Sequence, residues 1–273
     1  MLPLKRSTGN AAPPLQRRGS NSYYSTDEGF GPLGSSHFSM LRYLRRVVYY
    51  PQMDFEYTFT QMKLLLRSPS KVYKITSWRN QTKNRWARDD PAFLVILCVL
   101  ISVSSVIYGL ALGRASVASI VSLVATQIVI FLGSGMLIAT FFWRLANARF
   151  RARHSHSVDQ EVEWMYAFDI HCNAYFPMTL ALYVLQLCLL PVLLRPNILS
   201  TLAANTLYTA AFSYYHYVSF LGYMYLPFLD KKLVTALLYP VALLAVAFVL
   251  FTVLNINMAR LTLSLFFPLS VPS

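Results

Sequence analysis

Five long stretches of the chain contain no aspartate, glutamate, lysine or arginine, over residues 91–113, 115–143, 170–194, 196–229 and 233–259. Each is longer than the roughly 20 residues that a helix needs to cross the hydrocarbon of a bilayer. Each is also apolar on every side, whereas the strands of a membrane barrel alternate apolar and polar residues. The pattern therefore predicts an all-α membrane protein with five transmembrane helices, at about 91–113, 115–143, 174–194, 199–227 and 233–255.

The cationic residues divide unevenly among the connections between these helices. Of the 24 lysines and arginines, only Arg114, Arg195 and Arg260 follow the first, third and fifth predicted helices. Because cytoplasmic connections carry the excess of positive charge, we expect a cytoplasmic N-terminus and a lumenal C-terminus. The tryptophans agree with this orientation, since all of them lie at predicted cytoplasmic helix ends, at Trp78, Trp86, Trp143 and Trp164.

The polar segment before the first transmembrane helix divides into two predicted parts. Residues 1–37 are rich in serine, glycine, proline and asparagine, and this composition predicts a disordered basic tail. Residues 38–90 are predicted to form cytoplasmic interfacial helices. The first of these places Arg42, Arg45 and Arg46 beside an apolar face, as in a helix that lies on an anionic membrane surface. A solvated linker is the alternative for this stretch.

A second amphipathic helix is predicted from Met53 to Leu66, because its apolar residues repeat at helical spacing. Ser68-Pro69 ends it, since a residue before proline avoids the helical region. Asp89-Asp90-Pro91 then begins the first transmembrane helix, with acidic residues at the positive end of the helix dipole and proline at the first helical position. Residues 91–273 form the predicted transmembrane domain.

Composition and charge narrow the class of protein. With 56% hydrophobic and 13% charged residues, the chain does not have the composition of a soluble globular protein. Residues 1–90, with 15 basic and six acidic residues, suit anionic lipid, an acidic protein surface or RNA. RNA-binding modules combine basic residues with stacking aromatics on a folded platform, and the N-terminal segment has no recognisable fold of this kind. RNA binding therefore stays an alternative.

A polar cluster on the connection before the third predicted helix comes nearest to a chemical site. It consists of Glu161, Glu163, Asp169, His171 and Asn173. A metal site or a shared proton would need these groups to converge, but Asp169 and His171 lie about 200° apart around a helix. The sequence favours residues that anchor the helix start, with partner docking as the other alternative. We expect no catalytic residue, no cofactor and no metal.

His216 is the only ionisable side chain near the middle of a predicted transmembrane helix. Such a residue is a functional candidate by default, here as a proton relay or lipid contact in a small transporter or lipid-handling protein. The structural alternative is a hydrogen bond across the helices to a tyrosine or to Asn205.

Several strings of residues resemble the signature of the uncoordinated-fifty (Unc-fifty) family. In the first half they are Gln52-Met53-Asp54-Phe55-Glu56 and Trp86-Ala87-Arg88-Asp89-Asp90-Pro91. In the second half they include Val162-Glu163-Trp164, Phe220-Leu221-Gly222-Tyr223 and Leu226-Pro227-Phe228-Leu229. The resemblance extends from residue 41 to about residue 255, and the strings keep the family's order and spacing.

This resemblance implies a non-enzymatic Golgi membrane protein with five transmembrane helices. Members of the family associate with large Arf guanine-nucleotide exchange factors, which are Sec7-domain proteins, and support transport of cargo such as cell-surface receptors. An RNA-binding role at the nuclear envelope has also been attached to the family name. We therefore expect the Golgi membrane, with the nuclear inner membrane or the endoplasmic reticulum as alternatives.

Two of the matching regions lie at the same predicted cytoplasmic interface and carry complementary charge. We expect them to face each other, either as a docking surface for a partner or as pairs that hold the helices together. The residues are Arg85, Trp86, Arg88, Asp89 and Asp90 on one side and Glu161, Glu163, Trp164 and Asp169 on the other.

Overall fold

The computed structural model describes residues 53–113, 116–152 and 160–267, and the regular elements within them are helical. In chain order the helices are α1 (Phe55–Arg67), α2 (Pro69–Lys83), α3 (Ala92–Ala111), α4 (Val117–Leu145), α5 (Trp164–Thr179), α6 (Gln186–Leu193), α7 (Ile198–Met224), α8 (Lys231–Val234), α9 (Tyr239–Val253) and α10 (Met258–Ser264). Short turns of other helical types extend or join them, namely a π-helical turn after α4 (Ala146–Phe150), a π-helical turn between α5 and α6 (Leu180–Leu185) and a 3-10 turn between α8 and α9 (Thr235–Leu238). The predicted tail and the predicted helix over 38–50, with its three arginines, lie outside the described residues.

Four continuous helical stretches of the described residues are long and apolar enough to cross a membrane. They are Ala92–Ala111, Val117–Phe150, Trp164–Leu193 and Lys231–Val253. The 27-residue α7 occupies the place of the fourth predicted transmembrane helix. It is long enough to span a bilayer, but its many tyrosine, serine, threonine and asparagine side chains make it less apolar than the other four. The all-helical class is confirmed, and a count of five transmembrane helices stays a prediction.

The hairpin of α1 and α2 precedes the first of these stretches. Asp54 caps α1 by accepting a hydrogen bond from the backbone N–H of Tyr57 at 2.9 Å, which confirms the second predicted amphipathic helix. Pro69 has two roles. It follows the end of α1, and it is also the first residue of α2, where its missing N–H removes no helical hydrogen bond. The sequence did not predict α2, since its apolar residues follow no single helical face.

The start of α5 differs from the prediction. The helix begins at Trp164 and not near residue 174. Asp169, His171 and Asn173, which were predicted on the connection, are therefore buried inside the helix, with 5%, 2% and 4% of their surface exposed. Their polar side chains lowered the apparent hydropathy of this stretch, although neighbouring elements supply partners for them.

Helix α5 lies at the centre of the bundle, with α4 against one side and α7 against another. Glycines allow both close approaches. A side-chain carbon on Gly135 of α4 would lie 2.8 Å from the His171 ring, and one on Gly222 of α7 would lie 2.7 Å from the side chain of Ile170. Helix α3 packs on α4, and α9 packs on α7. Of the two hairpin helices, α1 packs against α5 and α2 packs against α7.

The connections gather at two ends of the bundle. At one end, which we call the charged end (residues 84–90, 151–152, 160–163 and 225–230), the backbone N–H of Ala152 donates to Phe228 O at 3.0 Å and that of Asp230 donates to Phe150 O at 2.7 Å. At the opposite end (residues 112–113, 116, 194–197 and 254–257), Asn257 Nδ2 donates to Leu193 O at 2.8 Å. The more highly charged connections thus lie together, away from the sparsely charged ones.

Candidate functional site

The loop between α2 and α3, residues 84–91, folds over the start of α5. Asn84 allows this, because it ends α2 in the left-handed conformation with φ of 50°, and its N–H donates to Asn80 O at 2.8 Å. Asparagine tolerates this conformation better than most residues. The chain therefore reverses at Asn84 and presents its next backbone amides to α5.

Glu163, the residue before α5, receives two of these amides. Its carboxylate accepts from the backbone N–H of Trp86 at 2.9 Å and of Ala87 at 3.4 Å. The sequence predicted a charge pair between this region and the basic residues of the loop. Mutual pairing was one of two alternatives, the other being a docking surface for a partner. Glu163 contacts the loop, but its described hydrogen bonds go to the main chain.

Arg88 reaches deeper into the bundle, with 7% of its surface exposed. Its backbone N–H donates to Asp169 Oδ2 at 2.6 Å, and its guanidinium donates to Asn173 Oδ1. The guanidinium carbon also lies 4.1 Å from the centre of the Phe93 ring, a cation–π contact. The positive charges of Arg88 and Arg79 both act on the buried carboxylate of Asp169, so this charge does not stand alone in the interior.

Aromatic packing completes the buried part of the site. Trp86 lies against Tyr166 and Phe228, with ring centroids 5.9 and 6.2 Å apart. Trp164 stacks on Phe168 at 5.7 Å, and its indole Nε1 donates to Thr140 Oγ1 at 3.0 Å. Both tryptophans therefore join the loop and α5 to the bundle.

The remaining residues of the predicted loop motif stay accessible. Asp89 pairs with Lys83 at 3.2 Å and with Arg85 at 3.3 Å. Asp90 accepts from the backbone N–H of Asp54 at 2.8 Å through Oδ2 and from that of Ala92 at 2.9 Å through Oδ1. Asp90 thus ties the start of α1 to the start of α3.

These residues border a cleft of about 630 Å³ beside α1 and α2. We call it the hairpin cleft, and its walls include Tyr57, Trp78, Lys83, Asp89 and Asp90. Trp78 is 65% exposed there. The hairpin cleft therefore combines the exposed indole of Trp78 with charges of both signs.

Glu161 lies apart from this arrangement. It pairs with Arg151 at 3.3 Å and keeps 65% of its side chain exposed. The predicted set of nine residues thus separates into three parts. Trp86, Arg88, Glu163, Trp164 and Asp169 join the loop to α5. Asp89 and Asp90 line the hairpin cleft, with Arg85 paired to Asp89, and Glu161 lies by itself.

Two residues that the sequence did not single out also shape the site. Asn147 bonds both backbone groups of Val162, accepting from its N–H at 2.8 Å and donating to its carbonyl at 3.1 Å. Tyr73 is 1% exposed and stacks on Tyr225 with centroids 6.2 Å apart; burial raises the pKa of its phenol. The available signals were an asparagine amid the cations after α4 for Asn147 and, for Tyr73, the string Val72-Tyr73, which also resembles the family signature.

Asp169 and His171 do not converge. Asp169 faces the loop, whereas His171 Nδ1 lies 2.8 Å from the hydroxyl of Tyr215 on α7. Within the described ranges, no group of three or more histidine, cysteine, aspartate or glutamate side chains is placed to hold a metal ion.

The two polar candidates on α7 have different surroundings. Asn205 Nδ2 donates to Thr252 Oγ1 at 3.2 Å and to Ile256 O at 3.1 Å, and its Oδ1 accepts from the N–H of Met258 at 3.1 Å. This is the structural role that the sequence allowed. His216 instead lines a cavity within the bundle.

Known proteins match the chain along most of its length. A sequence model of the UNC-50 family matches residues 43–267. Protein unc-50 homolog of Dictyostelium discoideum is 42% identical over 257 residues, which cover 93% of this chain and 98% of the relative. The homologs of Danio rerio and Homo sapiens are 39% and 43% identical, covering 92% and 74% of this chain and 94% and 76% of their own. No solved structure matches.

The matched region includes every residue of the loop, of α5 and of the hairpin cleft described above. The resemblance noted in the sequence is therefore confirmed, and the chain belongs to the UNC-50 family.

Proposed function

We propose that the chain is a non-enzymatic Golgi membrane protein that binds an Arf guanine-nucleotide exchange factor and supports transport of cargo such as cell-surface receptors. Family membership and the membrane-spanning helices support a multi-pass membrane protein of this family. The observation that carries the docking proposal is the hairpin cleft, with its exposed Trp78.

The chemistry of the hairpin cleft suits a protein partner. Tryptophan is among the residues that contribute most binding energy at protein interfaces, because a large apolar ring is buried with one polar atom to orient it. Lys83, Asp89 and Asp90 surround it with charges of both signs, and such charges favour one partner over another. Trp86, Arg88, Glu163 and Asp169 then have a supporting role, since they fix the loop that holds Asp89 and Asp90.

A cytoplasmic partner requires that the charged end face the cytoplasm. The proposal therefore includes five transmembrane helices, with α7 as the fourth and the N-terminus in the cytoplasm. The course of α7 between the two ends of the bundle supports this, as does its length of 27 residues. Its polar side chains have partners on neighbouring helices, among them the Tyr215 hydroxyl and Asn205, which lowers the cost of placing them in the membrane.

The test is affinity capture of the tagged full-length chain from Golgi membranes, with the Arf exchange factor quantified by mass spectrometry. Combining Trp78→Ala with Lys83→Glu, both in the wall of the hairpin cleft, is expected to lower the captured amount roughly tenfold, the loss typical of an interface hot spot. Neither residue is among the buried contacts of the loop, so the amount of folded chain should be unchanged.

The matched control combines Phe141→Ala with Lys232→Glu. Phe141 is 60% exposed on α4 and Lys232 is an exposed cation at the start of α8, and neither lines the hairpin cleft. This variant should capture as much exchange factor as the parent chain. Equal capture by both variants would refute the hairpin cleft as the docking surface, and no capture by the parent chain would refute the partner.

A further inference from the structure

Helix α1 crosses the bundle and does not run along it. At its start, the backbone N–H of Asp54 donates at 2.8 Å to Asp90, which precedes α3. Near its end, Leu65 O accepts from the Tyr214 hydroxyl of α7 at 2.6 Å. Between these points α1 packs on α3 and α5. Its 13 residues extend about 20 Å, which is the distance across three helices that pack side by side.

Both ends of α1 lie at the same level of α5. The start is next to the loop that carries Arg88, whose backbone N–H donates to Asp169. The end is next to Tyr215, whose hydroxyl lies 2.8 Å from His171. Asp169 and His171 are only about 3 Å apart along the axis of α5. Beyond this level, α3, α5 and α6 contain no lysine, arginine, aspartate or glutamate, so α1 lies where the charged end meets the membrane-spanning part of the bundle.

Helix α2 lies on the side of α1 that faces the charged end. Its Tyr73 stacks on Tyr225, which is 11 residues beyond Tyr214 in the chain and about 16 Å further toward the charged end. Helix α1 is therefore the part of the hairpin nearer to the membrane. In a bilayer its level corresponds to the boundary between the head groups and the hydrocarbon.

The face of α1 that is turned away from the bundle combines apolar and cationic side chains. Its members recur at helical spacing, and they are Phe59, Lys63, Leu66 and Arg67. Phe59 and Leu66 are 58% and 49% exposed, which is unfavourable in water but suits the membrane boundary. Long cationic side chains can reach lipid phosphates from the same level. The exposed Glu56 lies on this side too, but about 10 Å from Lys63 along the helix.

Four exposed cations gather where α1 turns into α2. We call them the turn cations, and they are Lys63, Arg67, Lys71 and Lys74. No carboxylate of the described residues pairs with them, and residues 57–88 contain no aspartate or glutamate. None of the four lines the hairpin cleft, which lies at the other end of the hairpin. The turn cations therefore form a separate positive surface at the level of the head groups.

We infer that this surface binds anionic phospholipids of the bilayer, with the turn cations at the head groups and Phe59 and Leu66 among the upper parts of the acyl chains. Positive charge beside a membrane selects anionic lipids, because a zwitterionic head group brings its own cation. An acidic protein surface would satisfy the turn cations, but it would not cover apolar side chains at the level of the membrane. The inference does not depend on the partner proposed for the hairpin cleft.

Fluorescence quenching in nanodiscs tests the position of α1. The full-length chain, with its three cysteines replaced by alanine, carries bimane on Phe59→Cys or, as the control, on Glu161→Cys. The Glu161 side chain is 65% exposed and precedes α5 at the charged end. Phosphatidylcholine that is brominated near the top of its acyl chains should quench bimane at Phe59→Cys and leave bimane at Glu161→Cys almost unchanged.

Lipid selectivity tests the turn cations. Bimane on Leu66→Cys is quenched by brominated phosphatidylserine or by brominated phosphatidylcholine, each at the same fraction in unlabelled phosphatidylcholine. The chain should bind phosphatidylserine roughly fivefold more tightly, the ratio that corresponds to about 1 kcal/mol for a single surface cation. Raising the salt from about 0.1 M to about 0.5 M should lower this ratio, because salt screens exposed charges. Both leaflets have the same composition, so the result does not depend on the orientation of the chain.

Two charge variants locate the selectivity. Replacing all four turn cations by glutamine should lower the ratio to nearly one. The matched control replaces four other exposed cations near the charged end by glutamine, namely Arg144, Arg149, Lys231 and Lys232. It should keep the preference of the parent chain. Because the ratio compares two lipids within one variant, it does not require equal folding of the two variants.

Three results would overturn the inference. The first is equal quenching at Phe59→Cys and Glu161→Cys, which would place α1 outside the membrane boundary and leave the turn cations to an acidic protein. The second is equal binding of the two lipids by the parent chain. The third is an equal loss of preference in the two charge variants, since the hairpin would then have no special part in lipid selection.

Discussion

Arg88 places a positive charge in the protein interior. A few neighbouring groups stabilise this charge. The guanidinium meets Asn173 and the Phe93 ring, and its charge acts on Asp169, which is itself 5% exposed. Removing one member of a buried set of charges leaves the other without compensation, which costs more than removing both.

We therefore expect Arg88→Met to lower the free energy of unfolding by about 3 kcal/mol, because the buried carboxylate of Asp169 loses the positive charge of Arg88. Arg88→Met combined with Asp169→Asn should recover a large part of this loss, since neither charge remains. Thermal unfolding of the detergent-purified variants measures the difference. A double variant as unstable as the sum of the two single variants would contradict the expected coupling.

Glu163 gives a prediction of a different kind. Glu163→Ala leaves the backbone N–H groups of Trp86 and Ala87 without their acceptor and should cost about 1–3 kcal/mol. Exchanging the charges, with Arg88→Glu and Glu163→Arg together, should rescue nothing, because the two side chains do not pair. Glu161→Ala is the control, and as an exposed pair its loss should stay within about 0.5 kcal/mol. Rescue by the charge exchange, seen in the same unfolding assay, would show that Glu163 binds the arginine side chain.

The sequence indicated at this scale which residues meet, but not through which atoms. Charge and matching strings placed Arg88, Glu163 and Asp169 at one interface. The pairing depends on the direction of the loop backbone, which the left-handed Asn84 sets, and a single asparagine does not reveal that conformation. Glu163 therefore receives main-chain donors that no charge count could predict.

At the scale of elements, the position of α5 depends on two glycines that face it from opposite neighbours. Gly135 and Gly222 have no room for a side-chain carbon, whereas a side-chain carbon on Gly133, also on α4, would meet nothing within 4 Å. Either glycine would allow close approach of a neighbouring helix, and the sequence does not distinguish them. Only the relative rotation of α4 and α5 decides which of them faces a neighbour, and that rotation is a tertiary property.

Gly135→Ala is expected to destabilise the chain by about 1–3 kcal/mol, because the added methyl would displace the ring of His171 or separate α4 from α5. Gly133→Ala should be neutral or stabilise by a few tenths of a kcal/mol up to about 1 kcal/mol, since alanine is the better helix former and has space. The two variants have the same composition, so their melting temperatures compare directly. A larger loss in Gly133→Ala than in Gly135→Ala would mean that α4 is rotated differently.

At the scale of the whole molecule, the chain has two chemically different ends. Hydropathy and charge were enough to predict this division, because both follow from the cost of placing charge in lipid. They were less informative about α7, whose polar side chains find partners only after the bundle has formed. A helix of this kind has low hydropathy even where its surroundings are apolar.

Single-cysteine variants test the predicted orientation. With Cys98, Cys172 and Cys188 replaced by alanine, Lys232→Cys should react with an impermeant thiol reagent in sealed Golgi vesicles. Arg195→Cys should react only after the membrane is permeabilised, because α7 separates the two positions. Equal reactivity of both in sealed vesicles would show that α7 does not cross the membrane. Reaction of Arg195→Cys alone would invert the orientation.

The π-helical turn Leu180–Leu185 sets the rotational phase of everything that follows it in the third spanning helix. A π turn holds one residue more than the α-helical path needs. If the same residues formed a regular α-helix instead, α6 would be turned by about 100° relative to α5. Gln186, which lines the cavity beside the hydroxyls of Tyr108 and Tyr208, would then turn away from them, although no side chain of α6 had been changed. The chemistry of the cavity is thus encoded partly in the number of residues that precede it.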